Sequence, residues 1–145
     1  TVLGEVFEAK NKLTDVSINV YNNNRLIFYT KTDSVGNYSL KFNIDSIYIV
    51  ELSKEKYITK KYEISTKDLT AERLKDPVNQ INAQSEMHKM VEGVDYTHYK
   101  KPMVKFFFNK KTDKFEYDEK HFANSYAAQK KITEKEKSAK AKKKK

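Results

Sequence analysis

The sequence predicts a mainly-β protein: an antiparallel β-sandwich with an added β-hairpin and a C-terminal α-helix. Three observations carry that expectation. Apolar residues alternate with polar ones along several short segments. Turn-forming residues separate those segments at short intervals, and the period lengthens to that of a helix only after Asp118. A two-residue period buries one face of a strand, and repeated short strands with turns between them build sandwiches or barrels.

Val16, Ile18 and Val20 alternate with Ser17, Asn19 and Tyr21, which makes one buried strand face. Asn22, Asn23 and Asn24 mark a turn, because Asn tolerates the left-handed backbone region. Residues 26–32 read as the next strand, apolar on both faces through Leu26, Ile27, Phe28 and Tyr29. Residues 33–37 form a hairpin connection in which Gly36 supplies a positive φ and is the structural turn residue. Tyr38, Leu40 and Phe42 resume the alternation, and residues 47–52 and 57–65 complete the run. Val16, Ile18, Val20, Leu40, Phe42, Val50 and Leu52 are expected in one core.

Beyond residue 66 the pattern breaks. Thr70 is placed to cap a helical turn that ends near Pro77, and the polar stretch to Gln84 reads as a long connection across the sandwich. A strand is expected over residues 86–91, with Gly93 ending it. Val104, Phe106 and Phe108, then Phe115 and Tyr117 across a polar turn, spell a second hairpin. Asp118 is the expected N-cap of a helix whose apolar face holds Phe122, Ala123, Tyr126 and Ala127. The organisation is therefore a sandwich core at residues 1–66 and a connection, strand and hairpin extending the same domain at 67–118. A helix at 119–137 and a disordered Lys-rich tail at 138–145 follow.

The net charge of +9 is unevenly placed. Residues 130–145 hold nine Lys against Glu134 and Glu136, which is +7 and leaves +2 for all the rest. A nearly balanced body argues against a nucleic-acid partner, which needs a basic face on the fold itself. The tail lysines Lys140, Lys142, Lys143, Lys144 and Lys145 suit instead an anionic polymer or membrane surface. No apolar run is long enough to span a bilayer, and Cys is absent, which removes disulfide and thiol chemistry. With no initiator Met and no leader-like segment, the chain reads as a mature or excised piece.

Two stretches carry a family resemblance: Thr32-Asp33 with Gly36-Asn37-Tyr38-Ser39-Leu40, and Tyr48, Val50, Leu52-Ser53-Lys54 with Tyr57. In that order and spacing the chain resembles the carboxypeptidase regulatory-like domain over roughly residues 4–66. The resemblance implies a transthyretin-like β-sandwich and, since the family abounds in envelope proteins of Gram-negative bacteria, an exported protein of the periplasm or cell envelope. Lys56 stands where a Gly commonly precedes the Tyr, so another turn geometry is expected there. Glu92-Gly93-Val94-Asp95-Tyr96 and Lys101-Pro102-Met103 look like an extension found in envelope members of the group.

The family name is not an activity. The purine-pathway hydrolase built on the same fold depends on early His residues and a Tyr-Arg-Gly-Ser ending, whereas here the first His is His88 and the chain ends in Lys. His88, His98 and His121 have no zinc-type spacing, and no Gly-x-Ser-x-Gly elbow occurs. The acids around Asn109, Asp113, Glu116, Asp118 and Glu119 lack the alternate-residue spacing of a calcium loop. Glu51 falls on the outward parity, where it cannot promote an isopeptide bond. A non-enzymatic protein without a cofactor or metal is therefore expected. Its function would be envelope interaction or scaffolding, through an exposed strand edge or the loop holding Tyr96 and Tyr99. The alternatives are an accessory domain that stabilises or presents a neighbouring peptidase or transporter, and a basic-tail tether.

Overall fold

The computed structural model describes residues 1–143. Ten strands form among them: β1 (Val2–Glu8), β2 (Asn11–Lys12), β3 (Ser17–Asn22), β4 (Arg25–Lys31), β5 (Asn37–Leu40), β6 (Ile47–Ser53), β7 (Lys60–Ser65), β8 (Ile81–Glu86), β9 (Val104–Asn109) and β10 (Lys114–Tyr117). Two helices join them, α1 (Ala71–Lys75) and α2 (Glu119–Lys143). The strands make two facing sheets. One has six strands in the order β10-β9-β7-β6-β3-β4; in the other β1 is flanked by β5 and β2 on one side and β8 on the other. This is the expected sandwich with its hairpin and C-terminal helix.

The core follows the two-residue period. Val16, Ile18, Val20, Leu40, Val50 and Leu52 are buried in one cluster, with Phe42 packed against it. Val2 and Val6 from β1 and Ile81 and Ala83 from β8 meet them from the narrower sheet. Each fully buried Val, Leu or Ile contributes about 1.5–3 kcal/mol, so the interdigitated faces dominate the fold's stability. Gly4 shares the inward parity of Val2 and Val6. A Cβ there would fall 1.9 Å from the Tyr38 ring, so only Gly lets that ring lie across β1. Tyr38 Oη then meets Tyr62 Oη at 2.6 Å, a buried hydrogen bond joining the two sheets.

Two pairings are parallel, β1 with β8 and β7 with β9. They arise because the chain leaves β7, crosses to the opposite sheet as β8, and returns as β9 beside β7. The strand expected at residues 86–91 is displaced: β8 occupies residues 81–86, and the later stretch makes one isolated bridge between Tyr57 and Lys89. The displaced strand alternates buried Ile81, Ala83 and Ser85 with exposed Asn82, Gln84 and Glu86, a pattern too polar to stand out in the sequence. Thr70 caps α1, its Oγ1 accepting from Arg73 N at 3.2 Å.

The turns obey backbone sterics with two exceptions, Ala9 (φ 53°) and Lys56. Asn23 and Asn24 both take positive φ (50° and 62°), which closes the β3–β4 hairpin in the sense that matches strand twist. Gly36 has φ 76°, and a Cβ on it would meet Val6 O at 2.8 Å. Lys56 also has φ 73°: the expectation of a different geometry at this turn is corrected, because the lysine adopts the left-handed angle a Gly would use. Holding a residue with a Cβ there costs about 1 kcal/mol.

The two positions predict opposite signs in thermal denaturation. Gly36→Val should lose roughly 2 kcal/mol or more, through strain at positive φ and the clash with Val6 O. Lys56→Gly should gain up to about 0.5 kcal/mol, the relieved strain exceeding the added unfolded-state entropy. A Lys56→Gly protein that melts lower than the parent would show that the lysine side chain outweighs its backbone cost.

Candidate functional site

β4 ends the six-stranded sheet, and among the described residues no strand pairs with its outer side. Leu26, Ile27, Phe28 and Tyr29 are each 49–51 % exposed. Phe28 lies opposite Val20, on the core-facing side, and Tyr29 opposite Asn19, on the outer face. The register slips between Val20 and Tyr21, a bulge that leaves Ile27 as the extra residue. The edge is thus apolar on both faces, as the sequence indicated. Arg25 and Lys31 cap its two ends, with Lys31 Nζ 3.2 Å from Asp15.

The second candidate, the loop holding Tyr96 and Tyr99, is arranged differently from the expectation. Tyr99 is buried with Ile58 and Ile132 in a second small core, so its proposed place on an exposed binding loop is corrected. Tyr96 packs against the same cluster. Its hydroxyl donates to Glu136 Oε2 at 2.7 Å and accepts from Val91 N at 2.8 Å. His88 Nε2 lies 3.1 Å from both Glu136 oxygens. Glu136, only 5 % exposed, therefore ties the loop to α2.

That latch also corrects the helix. Asp118 caps it as expected, Oδ1 accepting from His121 N at 3.0 Å. The inward face, however, carries Ser125, Ile132 and Glu136 rather than the Phe122 and Tyr126 stripe, and those two rings are exposed. His121 Nε2 donates to Pro102 O at 2.6 Å, and His98 Nε2 lies 3.3 Å from Ser125 Oγ. All three His residues sit at this interface. The helix also runs to Lys143, so residues 138–143 are helical and not the disordered tail expected from their composition. Lys140 and Lys142 are exposed on it; Lys144 and Lys145 lie outside the described residues.

Lys60 occupies the space beneath α2 and is 7 % exposed. Its Nζ donates to Glu86 O at 2.6 Å and stands 5.7 Å from the Tyr99 ring centre. Burial lowers the Lys60 pKa, opposed by the charges of Glu86 and Glu136. Burial pushes the Tyr96 hydroxyl up to about 12, aided by its bond to Glu136, and Tyr99 up to about 12, aided by the Glu136 charge. Tyr38 is likewise pushed to about 12 by burial, and Tyr62 well above its ordinary value. Sequence reasoning missed Lys60, Glu136 and His88 as one group. Their only signal was a pair of charges, Lys60 and Glu136, at positions later found inward-facing.

The described residues hold no cluster of three or more His, Cys, Asp or Glu able to bind a metal ion. No described helix is long and apolar enough to cross a membrane. No family model matches the chain, and no curated protein matches it significantly.

Two predictions follow from the latch. Cutting the chain after Ser138 should leave the melting temperature within about two degrees, since none of the described positions 139–142 is buried. Cutting after Gln129 should cost about 3 kcal/mol or more, because buried Ile132 and the Glu136 acceptor both go. Equal stability of the two truncations would show that the helix end is not docked. Separately, alkaline pH should unfold the protein. Six tyrosines have raised folded-state pKa values, Tyr38, Tyr96 and Tyr99 to about 12, so their contribution is whole below pH about 10 and lost as pH climbs through the raised values. The lowered Lys60 pKa works the other way and is outnumbered. Tyrosinate absorbance should therefore still be rising at pH about 12, and this late rise should coincide with loss of circular dichroism.

Proposed function

We propose that this protein is a non-catalytic interaction module of the bacterial cell envelope that binds a partner protein by strand addition to β4. The observation that carries the reading is the β4 edge: open backbone groups and four large apolar side chains, each half exposed. Soluble proteins blunt such edges, and β4 is guarded only by a bulge and its terminal Arg25 and Lys31. Backbone pairing supplies affinity in strand addition, and side chains on alternate faces supply selectivity.

The charges at its ends select the partner. An antiparallel pairing of two β4 strands centred on Phe28 would set Arg25 against Lys31, three residues to either side, and like charges opposite one another destabilise a pair. A heterologous strand, apolar at its centre and acidic at its ends, suits the edge better. The envelope location rests on the resemblance over residues 4–66 to carboxypeptidase regulatory-like domains and their transthyretin-like fold.

Exposed Lys130, Lys131, Lys135, Lys137, Lys140 and Lys142 along α2 favour a second reading, an electrostatic tether to an anionic surface. Lysines late in a helix also complement its dipole, which needs no partner.

The test is photo-crosslinking from position 29 in intact cells, with amide exchange on the purified pair and cell fractionation alongside. A partner should be captured in the envelope fraction, the amides of β4 should slow, and Leu26→Lys/Phe28→Lys should abolish both. That variant should melt within about two or three degrees of the parent, since both side chains are half exposed. Capture unaffected by the double variant, or protection lying elsewhere, would overturn the reading. Vesicle binding that disappears with salt and with the cut after Ser138 would select the tether instead.

A further inference from the structure

A cleft of about 350 Å³ opens between β8 and α2, on the side of the sandwich away from β4. Its size falls in the range that holds small ligands and short peptides, about 300–1,000 Å³. One wall is backbone. Ile81 N donates to Thr1 O at 3.0 Å and Met87 N to Phe7 O at 2.9 Å, and these bonds bracket the parallel ladder of β1 with β8. In such a ladder alternate residues bond to the neighbour, so residues 81, 83, 85 and 87 face β1. The N–H and C=O groups of Asn82, Gln84 and Glu86 then point the other way. Among the described residues no strand pairs with that side.

The opposite wall is aromatic. Phe122 and Tyr126 on α2 stack at 6.3 Å and 20°, and Phe122 meets Tyr117 edge-on at 5.6 Å. Phe106 lies between the walls. The remaining feature is charge. Lys60 reaches the Glu86 end of the cleft, is almost wholly buried, and no described carboxylate lies within ion-pair distance of its Nζ. A buried ammonium whose hydrogen-bond partner is one carbonyl oxygen leaves two donors to fill, and a buried charge without a close counter-ion is costly.

We propose that this cleft is a second binding site, which takes the C-terminal end of an extended peptide. The peptide adds as a strand to β8, running parallel to it. Its terminal carboxylate accepts from Lys60 Nζ, and an apolar side chain near its end lies against Phe106, Phe122 and Tyr126. A chain end fits better than a passing segment, since the cleft is too small for a strand as long as the six residues of β8. The site is independent of the β4 edge and stands on different residues.

The experiment uses the full chain and two pools of hexapeptides, random in sequence but ending in Phe, Leu or Val, one with free carboxylates and one amidated. Binding is read by amide exchange and by titration. The free-carboxylate pool should slow exchange at Asn82 and Gln84 and bind at least tenfold better than the amidated pool. Lys60→Met should remove that preference, and Tyr126→Ala, at an exposed position that leaves the fold intact, should weaken binding several-fold. The Leu26→Lys/Phe28→Lys variant should bind both pools unchanged, which separates this site from β4. Equal binding of the pools, absence of binding at millimolar peptide, or protection confined to β4 would overturn the proposal. Concentration-dependent self-association that protects Asn82 and Gln84 would also overturn it, by making a second copy the occupant.

Discussion

The six-stranded sheet is wider than the sheet it faces, and a sheet face that is not covered must be buried by something else, carry polar residues, or stay open. The four-strand layer covers β3, β6 and β7, whose inward residues Ile18, Val20, Val50, Leu52, Tyr62 and Ile64 are all buried. At one end β4 projects past that cover, which is why Phe28 is half exposed although it has core-facing parity. At the other end β9 and β10 extend the sheet, with Val104, Phe106 and Phe115 against the core, α2 packed on β9 and residues 77–79 on β10. The open edge and the covered cleft are two outcomes of one mismatch in width.

How α2 is held follows from what it covers. Its inward face has one large apolar anchor, Ile132, while His121, Ser125 and Glu136 make hydrogen bonds to the loop between β8 and β9. Hydrogen bonds add about 1 kcal/mol each when satisfied but cost more than that when broken in a buried setting. The latch is thus weak as a source of stability and strong as a determinant of position. Glu136 alone fixes His88 and Tyr96 against one helical turn. Sliding the helix by a turn would leave a buried carboxylate unpaired.

The sandwich was legible because its strands obey a single rule. Where buried side chains are Val, Ile, Leu or Tyr at a spacing of two, as in β3, β5, β6 and β7, period and burial agree. The turns were legible for a chemical reason, Asn and Gly at positive φ; Lys56 was not, because nothing in a lysine announces the left-handed region. β8 was hidden by its small and polar inward residues, Ala83 and Ser85. The inward face of α2 was hidden by its polarity, so the apolar Phe122 and Tyr126 drew attention to the wrong side. The Lys/Ala ending was read as disordered from its charge, yet Ala and Lys are good helix formers and continue a helix already nucleated and docked upstream.

The exposed rings of Phe122 and Tyr126 acquire a physical sense once the buried face is known. A surface helix normally turns its largest apolar side chains inward, and this one turns Ser125 inward while two aromatic neighbours face a cleft. Packing cannot account for that choice, since the polar anchors already define the docking angle. Burial of both rings would need a rotation that breaks the His98–Ser125 and Glu136 contacts together. The polar latch therefore keeps the aromatic pair at the rim, across from the β8 edge that no described strand pairs with and beside the buried charge of Lys60. The sequence thus leaves these two apolar side chains, 40 % and 54 % exposed, at the rim of the cleft instead of in the core.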